Sequence, residues 1–258
     1  MGPEPLFRGV GVALVTFFDE GGRLLAKATA EHAAAVVDAG IAAVLVAGTT
    51  GEAAALDPDE RLALVDAVRA AVPAGSEVPV IVGTGAPSAR QAVALTKSAC
   101  AHGADAVLAL SPPGCADPRP YYDEVVRAAG PTPALAYHYP SVSPPGISVS
   151  QLGALPVAGC KDSSGDVTRL LLTAGMLGGS IWVGNPSLTL LAGMPGSRVA
   201  GAILALANPE PELCLAAFGG DMAAQRDLAG IHVGISTPAD LKDLISWRWG
   251  TPQTTRLG

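Results

Sequence analysis

Lysine is scarce in this chain. Of the 16 Lys and Arg side chains in 258 residues, only Lys27, Lys97, Lys161 and Lys242 are lysines. Arginine is the default cation, so an amine at a given position points to a task that a guanidinium cannot perform. Other scarcities exclude whole classes of function. The four cysteines, Cys100, Cys115, Cys160 and Cys214, form no C-x-x-C pair, which argues against a zinc ribbon or a disulfide framework and fits a reducing cytoplasm. Four histidines scattered over the whole length, with no H-E-x-x-H, give no basis for a metal centre. G-x-S-x-G and P-loop signatures are missing, and the stretch GTGAPS at 83–88 lacks the third glycine of a dinucleotide fingerprint. The net charge of −7 lacks the clustered cations that nucleic acid or an anionic membrane surface rewards. The apolar run Gly9 to Phe18 is too short to span a bilayer and reads as a first buried strand. A small soluble ligand is the expected partner.

What the chain has in quantity is apolar surface and punctuation: 49% hydrophobic residues, 31 glycines and 22 prolines. Short apolar runs begin near Val10, Ala42, Pro79, Ala106, Ala134, Val157, Ser180 and Val199, each followed by a polar turn and an Ala-rich segment of helical period. Runs apolar on both faces, such as AAVLVAG at 42–48, imply a parallel sheet covered by helices. Eight parallel units favour a closed (β/α)8 TIM barrel over an open doubly wound sheet, because the eighth strand can then pair with the first. Helix starts are marked by Asp57-Pro58-Asp59-Glu60, which predicts a capping box, with Leu62, Val65, Val68 and Val72 as the buried stripe; Ser88 with Gln91 predicts a second box. The barrel is assigned to residues 1–220. Residues 221–258 read as one or two extra helices packed on it within a single domain, with Trp247 and Trp249 as packing residues.

In such a barrel the working groups stand at the C-terminal ends of strands. Lys161 ends the sixth apolar run, and Tyr137 stands at the neighbouring fifth. A lysine at a buried strand end can attack a carbonyl and form an imine, and a phenol beside it can shuttle the protons that step requires. Position alone leaves open a lysine that snorkels to water or pairs with Asp162. Thr49 and Thr50, in the glycine-bounded turn after the second strand, offer hydroxyls and amides for a carboxylate. His138 points to the other side of its strand from Tyr137 and is expected to pack.

The set GTTGE at 48–52, VIVGTGAPSARQAVALTKSACAHGADAVLALSP at 80–112, Y-x-x-P-S at 137–141 and G-x-K-D-x-S-G-D at 159–166 resembles the dihydrodipicolinate synthase / N-acetylneuraminate lyase family. That resemblance covers roughly residues 9–208. It implies a class I aldolase in which Lys161 forms a Schiff base with pyruvate or a related 2-oxo acid, with no metal and no cofactor beyond that imine. Tyr137 and Thr50 are then the proton-transferring residues beside Lys161, and Thr49, Thr50, Gly184 and Ile203 bind substrate. A homo-oligomer, dimer or tetramer, is implied as well. Two departures matter. Where family synthases carry a tyrosine pair after the fourth strand, this chain has Pro113-Gly114, and Val142 replaces an arginine that holds the carboxylate of the aldehyde partner. Losing that cation removes a charge-assisted contact worth roughly 1.5–3 kcal/mol to an anionic second substrate. Gly114, Val142 and Asn185 thus make a roomier, less cationic mouth. The expectation is an aldolase or lyase acting on a 2-oxo acid and an aldehyde, other than the lysine-pathway synthase itself. The alternative is a non-catalytic barrel that binds a 2-oxo acid as sensor or scaffold.

Overall fold

A strand apolar on both faces must be covered on both, and a closed barrel does this with one sheet: alternate side chains fill the lumen and the rest meet the surrounding helices. The structure, a computed structural model describing residues 4–72, 76–178 and 180–257, is built this way. Strands β1 (Gly9–Ala13), β2 (Ala43–Val46), β3 (Val80–Gly83), β4 (Ala106–Leu110), β5 (Ala134–His138), β6 (Gly159–Asp162), β7 (Ile181–Val183) and β8 (Gly201–Leu204) pair in parallel in chain order. β8 closes on β1 with Gly11 opposite Ile203. Helices α1 (Ala26–Asp38), α2 (Pro58–Ala71), α3 (Ala89–Ala101), α4 (Arg119–Ala129), α5 (Val149–Ala154), α6 (Val167–Ala174), α7 (Thr189–Gly193) and α8 (Pro211–Phe218) alternate with the strands, and α9 (Met222–Gly234) and α10 (Pro238–Trp249) follow. The expected TIM barrel with a helical extension is the fold.

The two-residue period of the strands divides the core. Leu45, Ile81, Leu108, Leu135, Tyr137 and Trp182 share the lumen, with Ile203 among them. Val44, Val82, Val107, Ala136, Cys160 and Leu204 face the helix ring. At the N-terminal end of the lumen Phe7 stacks on Trp182, ring centroids 5.2 Å apart, and its carbonyl accepts the Trp182 indole N–H at 3.3 Å. This pair floors the barrel.

The helix signals hold with adjustments. Asp57 and Glu60 form the capping box of α2, with Pro58 at its first position. Ser88 does accept the Gln91 N–H, but the Gln91 side chain takes the Ser88 hydroxyl instead of reaching back to the backbone, so the second box is half-made. In α2 Leu64 is fully buried beside Val65 and Val68, while Leu62 is only half-buried, because the barrel draws the buried face slightly off the predicted stripe. The tail tryptophans divide too. Trp249 packs, donating its indole N–H to Asn208 O at 3.0 Å and meeting the His32 ring edge-on, whereas Trp247 is 87% exposed. Residues two apart on a helix point to nearly opposite sides, so only one of the pair can face the barrel. Among the described residues no helix is long and apolar enough to cross a membrane.

Candidate active site

The site forms where β5 and β6 end. Their register sets Tyr137 directly beside Lys161, and both residues point into the lumen. Lys161 is 4% exposed and Tyr137 5%, so the amine does not snorkel to water. Lys161 Nζ lies 3.4 Å from the Tyr137 hydroxyl and 4.5 Å from the centre of its ring. Nor does the lysine pair with Asp162. As the next residue on the strand, Asp162 faces the helix ring, where its carboxylate binds the Arg169 guanidinium of α6 at 2.6 Å with both groups buried. Strand alternation thus separates the amine from its nearest carboxylate in sequence.

Glycine makes room for the lysine. A Cβ at Gly184, just past β7, would sit 2.9 Å from Lys161 Cε and inside the envelope of the Ser163 hydroxyl. Gly184 also donates its N–H to Asp162 O at 2.6 Å, which ties the ends of β6 and β7 together. Ile203 is buried in the lumen, in the same apolar cluster as Tyr137.

Thr49 and Thr50 occupy a tight turn after β2. Gly51 N–H bonds back to Gly48 O and Glu52 N–H to Thr49 O, and Thr16, at the mouth beyond β1, donates its hydroxyl to Gly51 O at 2.7 Å. Thr49 lines the same cavity as Tyr137; Thr50 is half-buried and is not part of that lining. Among the described residues neither threonine hydroxyl hydrogen-bonds to Tyr137, whose side-chain partner is Lys161.

That cavity measures about 600 Å³ and runs from Tyr137 across the ends of β2, β3 and β4. Its walls are mostly apolar: Leu56, Leu95, Leu108, Leu110, Pro112 and Pro113 contribute, with Val142 at the mouth. Among the described residues Arg61 is the one charged residue in the lining, and its guanidinium donates to the carbonyls of Ala53 and Gly83. Of the three residues expected at the mouth, Val142 lines the cavity. Asn185 instead caps the turn at Pro186–Leu188, and Gly114 donates its N–H to Pro144 O outside the lining.

Tyr121 and Tyr122, which follow the missing tyrosine positions, begin α4 and hold the end of β4 from outside. Their hydroxyls donate to Leu110 O at 3.0 Å and Ala109 O at 2.8 Å. Burial raises the Tyr121 phenol to about 12, so it stays protonated as a donor. Within the strand-5 motif His138 turns away from Tyr137, and its Nδ1 accepts the Ile147 N–H at 3.0 Å. Burial is the main cause that keeps this imidazole below its ordinary pKa, with Arg169 adding to it.

Sequence reasoning missed one group at the edge of the site. Glu52, the last residue of GTTGE, is fully buried and takes a left-handed φ of 51°. Its carboxylate accepts Lys242 Nζ at 2.6 Å and the backbone N–H groups of Arg256 and Leu257 at 2.7 and 2.9 Å. The scarcity of lysine was the available signal, since Lys242 is as anomalous by that measure as Lys161.

The sequence matches the model of the dihydrodipicolinate synthetase family over residues 6–213. A protein of Halobacterium salinarum described as an uncharacterised DapA-like lyase is 41% identical over 232 residues, which cover 83% of this chain and 72% of that one. A probable mitochondrial 4-hydroxy-2-oxoglutarate aldolase of Emericella nidulans is 33% identical over 237 residues, covering 83% of this chain and 74% of that one. The crystal structure of dihydrodipicolinate synthase from Aquifex aeolicus is 28% identical with a TM-score of 0.83, covering 97% of this chain and 91% of that one.

Proposed function

Because the chain belongs to the dihydrodipicolinate synthetase family, whose members are lyases and aldolases, we propose that it is a Schiff-base aldolase joining a 2-oxo acid such as pyruvate to an uncharged, largely apolar aldehyde, or cleaving the product. The observation that carries this reading is the buried Lys161 amine, 3.4 Å from the Tyr137 hydroxyl and without a carboxylate beside it.

In this reading Lys161 Nζ, as the free amine, adds to the C2 carbonyl of the 2-oxo acid. The carbinolamine hydroxyl takes a proton and leaves as water, giving the imine. A proton then leaves C3, the resulting enamine attacks the aldehyde carbon, and the aldehyde oxygen takes up a proton. Water hydrolyses the product imine and restores the amine. Tyr137 gives and takes these protons, because its hydroxyl is within one short movement of the nitrogen. Thr49 and Thr50 bind the carboxylate through the turn's amides and hydroxyls, with Thr50 passing protons onward, while Gly184 and Ile203 shape the space around C3. The imine on Lys161 is the whole of the cofactor requirement.

The aldehyde's character follows from the walls. Val142, 43% exposed at the mouth, offers no charge, and the Arg61 donors are directed at backbone carbonyls. The cavity of about 600 Å³, lined by Tyr137 and Thr49 but among the described residues not by Lys161, Gly184 or Ile203, lies beside the amine and holds far more than a three-carbon acid. This favours an apolar aldehyde over the anionic one of the lysine-pathway reaction. Assembly into a homo-oligomer belongs to the same reading, supported by the exposed apolar side chains Val233 and Trp247 on α9 and α10.

The test is incubation with pyruvate, reduction with borohydride, and peptide mapping of the modified chain. The expected result is a single stable adduct at Lys161, lost in Lys161→Arg, followed by turnover with apolar aldehydes. No adduct with any 2-oxo acid defeats the mechanism, and an adduct without turnover of any aldehyde makes the chain a binding barrel.

A further inference from the structure

The segment after α10 returns over the barrel mouth and is bound there more heavily than packing requires. Lys242 of α10, 1% exposed, bridges Glu52 Oε1 at 2.6 Å and Thr254 O at 2.7 Å. Glu52 Oε2 receives two consecutive backbone N–H groups, those of Arg256 and Leu257. The Arg256 guanidinium makes paired 2.6 Å bonds to Glu60 at the start of α2, donates to Gly22 O and Ala55 O, and lies 4.3 Å over the Phe18 ring. Fork-shaped pairing of this kind fixes direction as well as distance. The result is that Leu257 is laid against the cavity that holds Tyr137 and Thr49, and lines it.

The same carboxylate that grips this segment belongs to the turn carrying Thr49 and Thr50. Glu52 N–H bonds to Thr49 O, and the residue's left-handed backbone sets the turn's exit. A side chain with a Cβ adopts that conformation at a cost, so it persists where the surroundings hold it. Here Lys242 and the two N–H groups hold it.

From this connection we infer that Leu257, held in place by the segment 251–257, forms part of the wall of the substrate cavity and sets the size of aldehyde accepted, and that Glu52 and Lys242 are positioning residues for the Thr49–Thr50 turn. The inference rests on the aldolase reading and adds to it a specificity-determining residue and the device that places it. Neither Glu52 nor Lys242 touches the reacting atoms. They act through the turn, and through the backbone of the segment they bind.

Two experiments test it. In the first, Leu257→Trp and Leu257→Ala are assayed with pyruvate and a series of straight-chain and aryl aldehydes. Position 257 is half in solvent, so both variants are expected to melt as the natural protein does. For Trp, kcat/KM should fall for the bulkiest aldehyde by at least about tenfold more than for the smallest, the ratio equivalent to one well-placed contact, and Ala should shift the ratio the other way. An unchanged ratio in both variants overturns the wall. In the second, Glu52→Gln and Lys242→Met are combined so that no buried charge is left alone. The expected outcome is a rise in the KM for pyruvate of about tenfold, with kcat at saturation changed less. A variant that is merely less stable, with KM and kcat intact at a temperature where it is folded, overturns the positioning role. The failures are distinguishable: absence of a pyruvate adduct in the natural protein counts against the aldolase itself, whereas an adduct with unaltered size selectivity counts against Leu257.

Discussion

Replacing Tyr137 by Phe removes one oxygen from the centre of the proposed chemistry and little else. The ring keeps its place: it stacks against Tyr139 with centroids 5.8 Å apart, sits in the apolar lumen cluster, and lies under the Lys161 nitrogen. The lost hydroxyl has one described side-chain partner, at 3.4 Å, which is long for a hydrogen bond. Its removal should therefore cost at most about 1 kcal/mol of stability. The rate effect is set by a different scale. A positioned general acid–base contributes a factor of roughly 10²–10⁴, which corresponds to about 3–5 kcal/mol of activation free energy. The two numbers are far enough apart to be separated in one protein preparation. Urea unfolding reads the first, and steady-state turnover with pyruvate and an apolar aldehyde reads the second. The time course of the borohydride-trapped adduct then divides the rate effect: a slow adduct places the phenol in imine formation, and a fast adduct with slow turnover places it in the carbon–carbon step. Turnover within about threefold of the natural enzyme, with the fold intact, would remove Tyr137 from the mechanism, since no general acid–base of that worth would then be missing.

Gly184→Ala should slow adduct formation by about 10- to 100-fold, because its Cβ, 2.9 Å from Lys161 Cε, pushes the amine off its line of attack; trapping kinetics in folded protein check this. Val142→Arg should raise kcat/KM for a carboxylate-bearing aldehyde relative to its neutral analogue by about 10- to 100-fold, the worth of one charge-assisted contact, and an unchanged ratio shows that the mouth does not select by charge. His32, buried and edge-on to Phe17 and Trp249, has its pKa lowered by burial to about 4 from 6.5. The unfolded chain then takes up a proton below pH 6.5 that the folded chain refuses, so stability should be full above that pH and fall by about 3 kcal/mol as pH drops toward 4. Urea midpoints at pH 7, 5.5 and 4.5 read this slope, which His32→Gln should remove.

The barrel was legible because its signal is local and repeated. Each strand begins within four residues of an apolar run recognised in the sequence, and the double-faced apolarity that implies a covered parallel sheet is the same property that fills lumen and helix ring. Lys161 and Tyr137 were legible as neighbours because consecutive strands of a barrel pair, so two strand ends adjacent in sequence are adjacent in space. The Glu52–Lys242 pair was not, since its members are 190 residues apart and neither carries a local pattern that names the other. Trp247 and Trp249 share a helix and a composition, and what separates them is the facing of α10, which depends on tertiary packing against Asn208 and His32. The cavity extending beyond Tyr137 depends likewise on which small residues line the ends of β2 to β4, a property of several segments at once.

The stack of Phe7 on Trp182 has a kinetic meaning. The two rings close the N-terminal end of a lumen that is otherwise packed with side chains, so in the proposed reaction ligands reach Lys161 from the end where the strands finish, and whatever reacts deepest has to enter first. For the proposed reaction this predicts that the keto acid binds before the aldehyde, and that excess aldehyde inhibits by occupying the approach before the acid arrives.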